Sequence, residues 1–416
     1  MSAVVQPPTR VIIDTDPGVD DVFAILAALG SPALEVLLIS TTHGNVDVDN
    51  CLRNLVTLFS ILDKENSWRK SVGKPAKFQL GSASKPIVAL GAERPLAAIR
   101  TLADYYHGRD GLGGTHSTHP QFTPPSTWKD IFEKGKNPLE LDLPGNFSPS
   151  PLPAHKEMLR VLRENPRGTI TIVAVGPLTN LALAANEDCD AFLRAKEVVV
   201  MGGAIHVPGN VTPAAEFNTY ADPHAAELIF SLTSRNSLSD KTAQWSAEKS
   251  KTPLKVRLFP LDLTVPHIMR KSQILPVLRT LSSQGSPLAQ WLEAVLGHTY
   301  ERVAAMSADQ SETADFGLSM HDPLCIWYVL GHYNQEPGWK FSAASPEDIR
   351  VETEGRWTRG MCMIDQRNRK KENGPVVGDR DGWLNSLESN QVWRMAETPG
   401  IDVFPRWIVA RIFGTD

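Results

Sequence analysis

VIIDTDPGVDDVFAIL, residues 11–26, is the stretch on which the fold reading turns. Val11–Ile13 is a β-branched apolar run. Val22, Phe23, Ile25, Leu26 and Leu29 then recur on one helical face, and Gly30 is placed to end that helix. Between the two stand Asp14, Asp16, Asp20 and Asp21, four carboxylates within eight positions. A strand therefore hands over to a helix at an acidic turn.

The same alternation continues outward. EVLLIS (35–40), TITIVAV (169–175), EVVVM (197–201) and VRLFPL (256–261) are short runs apolar on both sides of the pleat, as strands covered on two faces would be. VDNCLRNLVTLFSIL (48–62) and LTNLALAANE (178–187) carry helical patterns between them. Strand–helix–strand order predicts an α/β fold, a doubly wound, mostly parallel central sheet of Rossmann-like type with helices on both faces. Residues 1–416 read as a single domain with insertions at 117–153, 236–255 and 366–382. The first holds eight prolines and reads as a long loop. The second is polar and aperiodic, and the third, of mixed charge, reads as a hairpin tip.

Composition narrows the function classes. The 416 residues are 42% hydrophobic and 21% charged, ordinary for a globular chain with a sizeable core. A formal charge of −5 with no long Lys/Arg block offers no field for a phosphate backbone, so nucleic acid is not an expected partner. Cys51, Cys189, Cys325 and Cys362 form no Cys-x-x-Cys pair, which points to a reducing compartment rather than a disulfide framework or thiolate metal site. Neither a secretory leader nor a membrane span is readable in the chain. The expectation is a soluble cytoplasmic protein without a membrane partner.

If residues 11–14 are the first parallel strand, Asp14 and Asp16 emerge at the carboxyl edge, where open α/β sheets bind ligands. Asp20 and Asp21 follow at a helix start, where the dipole favours negative charge. Either alone reads equally well as an N-terminal capping residue, but capping does not explain four together. Like charges this close raise one another's pKa or share a cation, and hard oxygen donors without a Cys/His set favour Ca²⁺ or Mg²⁺ over Zn²⁺. A phosphatase of the haloacid dehalogenase type also opens with Asp-x-Asp. Here Gly18 stands where that motif needs a hydroxyl or β-branched residue.

DTDPGVDD after a first strand resembles the signature of the calcium-dependent nucleoside hydrolases, the inosine-uridine preferring nucleoside N-ribohydrolases. The similarity continues in order through THGN ending at Asn45, HGRDGLGG from His107, VAVGPLTNLALA from Val173, MGGAIHVPGNVTPAAEFNTYADPHAA from Met201 and HDPL from His321. The resemblance implies hydrolysis of a ribonucleoside to free base and ribose through an oxocarbenium-like transition state. It implies Ca²⁺ held by Asp16, Asp21, Asp322 and the carbonyl of Val175, with Asp16 taking the proton of a metal-activated water. Asp20, Asn45, Asn210, Glu216 and Asn218 match the ribose contacts. His321 matches an acid for the leaving base, for which a near-neutral pKa would suit, and His107 a base contact on a glycine-rich lid. Asp14, deeper on the strand, is expected to orient its neighbours. A homodimer or homotetramer is implied as well.

Some readings stay local. Asp322–Pro323 and Asp222–Pro223 are the same helix-start pattern, and only the resemblance makes a ligand of Asp322 while Asp222 remains a cap. Asn210, Glu216 and Asn218 also read as turn chemistry. His298 reads as packed or surface, and His206 receives no role. A catalytically silent member binding a nucleoside or ribose as a sensor is the alternative from another class. Base preference is not readable from these motifs, and VFPRWIVARIFG (403–414) either closes the domain or packs on a partner subunit.

Overall fold

The computed structural model describes residues 7–78, 80, 85–97, 99–126, 128–132, 145–234, 252–306, 315–333 and 335–414. Strands are β1 (Thr9–Thr15), β2 (Leu34–Thr41), β3 (Ile87–Ala89), β4 (Ser148–Pro149), β5 (Ile170–Ala174), β6 (Glu197–Met201), β7 (Val256–Phe259), β8 (Ile268–Arg270), β9 (Gly317–Ser319), β10 (Lys340–Phe341), β11 (Arg350–Val351), β12 (Cys362–Met363) and β13 (Val392–Glu397). The longer helices are α1 (Val19–Leu29), α2 (Val48–Ser71), α3 (Ala154–Glu164), α4 (Thr179–Glu187), α5 (Phe217–Ala221), α6 (Pro223–Ser231), α7 (Lys271–Ser283), α8 (Pro287–Met306), α9 (Pro323–Tyr333) and α10 (Phe404–Phe413).

β1 lies inside a nine-stranded sheet of order β10-β13-β7-β6-β5-β1-β2-β3-β4. Every pairing in it is parallel except β10 with β13. Alternate residues of β1 feed opposite cores. Val11 and Ile13 pack with α1, α2, α8, α9 and α10, and Ile12 packs with α3, α4 and α6. Period-two side chains with both faces covered explain why the strand reads as one continuous apolar run.

Several sequence readings change in detail. VRLFPL ends as a strand at Phe259, since Pro260 has no N–H for the ladder. The 366–382 region is not a hairpin tip: it is irregular, with one isolated parallel bridge, Glu372 to Asn385, and is tied to the fold by Lys371 to Asp348 at 2.9 Å and by Arg350 to the Gly382 carbonyl at 3.0 Å. The proline-rich 117–153 stretch contains short helical turns at Pro120–Phe122 and Trp128–Phe132, and its end supplies the edge strand β4. Residues 127 and 133–144 of it, and 236–251 of the second insertion, lie outside the described residues. α10 closes the core through Phe404, Ile408 and Ile412, all buried against α1 and its neighbours. Among the described residues, no helix is long and apolar enough to cross a membrane.

Candidate active site

A cavity of about 330 Å³ opens beyond the carboxyl ends of the central strands, lined by Asp20, Asn45, Val175, Asn210, Glu216, Asn218, His107, His321 and Asp322 among others. Asp16 and Asp21 lie beneath it, fully buried. Residues chosen from separate sequence motifs thus converge on one concavity.

The acidic turn builds itself. Asp21 Oδ2 accepts the Gly18 N–H at 2.9 Å, closing the first turn of α1, while Oδ1 accepts the Thr15 hydroxyl and, at 3.3 Å, the Asp16 N–H. The capping role therefore holds for Asp21 alongside any other. Asn45 ties the turn to β2: its Nδ2 donates to the Asp16 carbonyl at 3.1 Å and to Asp21 Oδ2 at 3.0 Å, and its N–H donates to Asp16 Oδ2 at 2.7 Å. Asp16 Oδ1 is buried without a partner. A Cβ on Gly176 would stand 2.6 Å from it, so a larger residue there would close the space this oxygen faces. Deeper in the strand, Asp14 Oδ1 accepts from the Ser40 hydroxyl and from Asn180 Nδ2.

Asp20, Asp21 and Asp322 each bring a carboxylate oxygen within 4.8 Å of the others, the arrangement a metal ion needs. Asp20, matched above to the sugar, is a member of this cluster, and its Oδ2 also accepts the His321 N–H at 3.2 Å across 301 positions of sequence. Burial pushes these acids upward, and neighbouring carboxylates add to it at Asp16, Asp21 and Asp322. Asp16 and Asp322 stand well above the carboxylate range, Asp20 and Asp21 reach about 6, and Asp14, by burial, about 7. A divalent cation would remove that penalty, and an all-oxygen donor set with an unpartnered Asp16 oxygen nearby fits a hard ion.

The wall facing the cluster comes from β6 and the loop after it. Glu216 caps α5, its Oε1 accepting the Asn218 N–H at 2.8 Å and its Oε2 the N–H groups of Gly203 (2.9 Å) and Thr219 (3.0 Å). Asn210 Oδ1 accepts the Phe217 N–H at 2.9 Å, and Asn218 Nδ2 donates to the Val175 carbonyl at 2.9 Å. His107 Nδ1 accepts the Val19 N–H at 3.3 Å, and His321 Nδ1 meets the Thr264 hydroxyl at 2.7 Å. Burial lowers His321 to about 4 and His107 to about 3. Burial thus holds the His321 ring below the near-neutral range that would suit an acid for the leaving base.

Tyr106, Phe217, Val265 and Ser319 also line the cavity and were not singled out from sequence. Tyr106 and Phe217 had a signal, being direct neighbours of His107 and Glu216. Asp222 caps α6 through the Ala225 N–H at 3.1 Å as read, and its Oδ2 additionally takes the Thr179 hydroxyl at 2.6 Å and the Leu96 N–H at 2.9 Å. His298 is half-buried against Thr118, and His206 is exposed.

Residues 11–382 match the family model described as inosine-uridine preferring nucleoside hydrolase. The chain is 29% identical over 385 residues to the pyrimidine-specific ribonucleoside hydrolase RihA of Salmonella arizonae, covering 91% of this chain and 96% of that one. It is also 29% identical over 356 residues to an uncharacterised protein of Schizosaccharomyces pombe, covering 86% of this chain and 89% of that one. Among solved structures, a plant nucleoside hydrolase, PpNRh1, superposes with a TM-score of 0.66 at 24% identity over 98% of this chain and 99% of that one. That likeness concerns the fold.

Proposed function

The chain belongs to the inosine-uridine preferring nucleoside hydrolases, glycosidases that cleave ribonucleosides, and from that premise we propose how its residues divide the work. The observation that carries the reading is the juxtaposition of the Asp20, Asp21 and Asp322 carboxylates with the free oxygen of Asp16 under one cavity.

We assign Asp21, Asp322, Asp16 and the Val175 carbonyl, with Asp20 beside them, to a Ca²⁺ ion. When bound, that ion supplies a Lewis acid that lowers the pKa of water. Asp16 accepts the attacking water's proton at Oδ1, because Asn45 occupies Oδ2. Asp20, Asn45, Asn210, Glu216 and Asn218 grip the ribose hydroxyls, their amides and carboxylates matching a diol that both donates and accepts. The sugar binding energy is thereby available to draw the ring toward an oxocarbenium-like transition state. His321 stands at the leaving base: in the tautomer where Nδ1 accepts from the Thr264 hydroxyl, Nε2–H is left to give the base a hydrogen bond. His107 contacts the base from the 107–114 loop. We place the enzyme in the cytoplasm as a homodimer or homotetramer.

A panel of uridine, cytidine, inosine, adenosine and nicotinamide riboside, assayed for free base with Ca²⁺ and with EDTA, tests this reading. Cation-dependent base release from at least one is expected. Tight ribonucleoside binding by calorimetry with no release from any would overturn it in favour of a sensor.

A further inference from the structure

The wall that carries Asn210, Glu216 and Asn218 has little regular structure of its own. Residues 202–216 are bends and irregular loop, and α5 has five residues, far below the length at which a helix holds itself together. Something else must fix it.

The β11–β12 hairpin supplies the missing contacts. Its strands pair Arg350 with Met363 and Val351 with Cys362, and the turn between them is closed by Gly360 N–H to the Glu352 carbonyl at 2.7 Å. Val351 and Cys362 are buried in the core beneath α3, α4 and α6, so the hairpin is anchored. From that base it touches the Glu216 segment at both ends. On one side, Cys362 Sγ lies 2.9 Å from where a Cβ on Gly203 would stand, and the Gly203 N–H is a donor to Glu216 Oε2. On the other, Gly360 packs so closely on Tyr220 that a Cβ would lie 2.6 Å from the Tyr220 Cα, and the Arg359 guanidinium sits 4.1 Å above the Tyr220 ring. Tyr220 N–H closes the α5 turn onto the Glu216 carbonyl at 2.9 Å.

We propose that this hairpin is a brace for the ribose-binding wall, with Arg359, Gly360 and Cys362 as positioning residues that act on the sugar through Glu216 and Asn218. The inference rests on the assignment of those two residues to ribose. Gly360 has φ +79°, and its neighbour is Tyr220 backbone rather than a flexible side-chain end. A methyl there must displace α5. Arg359 holds the exposed side of the same helix by a cation–π contact that Lys can reproduce and Ala cannot.

The test compares Arg359→Ala, Arg359→Lys, Gly360→Ala and Asn218→Ala in the full-length Ca²⁺-loaded enzyme. The substrate is p-nitrophenyl β-D-ribofuranoside, whose leaving group removes base recognition from the comparison, and each variant is assayed well below its own Tm. Arg359→Ala and Gly360→Ala are expected to lower kcat/KM about tenfold or more, as small misplacements of binding groups do, with Ca²⁺ affinity by calorimetry unchanged. Arg359→Lys should recover most of the loss. A lowered Tm with kcat/KM intact in both brace variants would make the hairpin a stabilising element only and overturn the proposal. If Asn218→Ala is itself as active as the wild type, the ribose assignment fails and the brace with it. If only Asn218→Ala loses activity, the assignment stands and the brace alone fails. Should Gly360→Ala not fold, the Arg359 pair decides.

Discussion

The backbone N–H of Asn45 donates to Asp16 Oδ2 at 2.7 Å and leaves Oδ1 as the one carboxylate oxygen of Asp16 without a partner. Position and chemistry are thereby separated within a single side chain, one oxygen for holding and one for accepting a proton. Asp16→Asn keeps the first and removes the second. Turnover should fall by roughly 10²–10⁴-fold, the range for loss of a general base. Since burial and the charges of Asp21 and Asp20 oppose an ionised Asp16, the metal-free variant should melt no lower than the metal-free wild type. Steady-state kinetics and thermal unfolding in EDTA check both halves; wild-type turnover would remove Asp16 from the mechanism.

Cation removal should act on stability as well as on rate, because three buried carboxylates are left to repel one another. Saturating Ca²⁺ at a hundred times its dissociation constant is worth about 2.7 kcal/mol to the folded state. A clear rise in Tm on adding Ca²⁺ to the EDTA-treated protein is expected, and Asp322→Asn should blunt it. An unchanged Tm in the wild type would mean that the folded protein binds no Ca²⁺, and an undiminished rise in Asp322→Asn would place the ion elsewhere.

Asn54 of α2 links the acidic turn to the 107–116 loop. Its Nδ2 donates to the Pro17 carbonyl at 2.9 Å and the Asp110 carbonyl at 2.8 Å, and its Oδ1 meets His116 Nε2 at 2.9 Å. Asn54→Ala strands these buried groups, at a cost of about 1–3 kcal/mol for each one left unsatisfied. Lower stability and faster amide exchange across residues 107–116 should follow. Exchange confined to other regions would refute the link.

His116, outside the carboxylate cluster itself, gives a separate pH signature. Burial, and then Arg53, lowers it to about 4, with Asp110 opposing in part. Because the folded pKa lies below the ordinary histidine value, this contribution to stability is complete above pH 6.5. It declines as pH falls toward about 4, where the unfolded chain takes up a proton and the folded one does not. His116→Asn should flatten the stability profile in that window. A titration of the His116 ring near pH 6.5 by NMR would contradict it.

What could be read from sequence follows from where each signal lives. β1, β5 and β6 were visible because strands buried on both faces are apolar throughout. β13 was not, since Trp393 and Arg394 interrupt its pattern and its pairing partners β7 and β10 lie far away in the chain. The acidic turn was legible from the density of carboxylates without a neighbouring Cys/His set. The capping bonds of Glu216 were not, because a buried glutamate that caps and one that binds a sugar look alike in one dimension. Tyr106, Val265 and Ser319 reach the cavity from three separate segments, a convergence only tertiary structure records. Two-residue strands such as β11 and β12 fall below any periodicity that a sequence can display.

The central place of β1 has a consequence for how the chain is made on the ribosome. Its partner β5 begins at Ile170, so the first strand translated waits until well over a third of the protein has emerged before both its edges are covered. At ordinary elongation rates that delay is on the order of ten seconds. Asp322 arrives later still, so a nascent chain carries an incomplete carboxylate cluster through most of synthesis. Truncated products ending before Asp322 would lack any way to complete it.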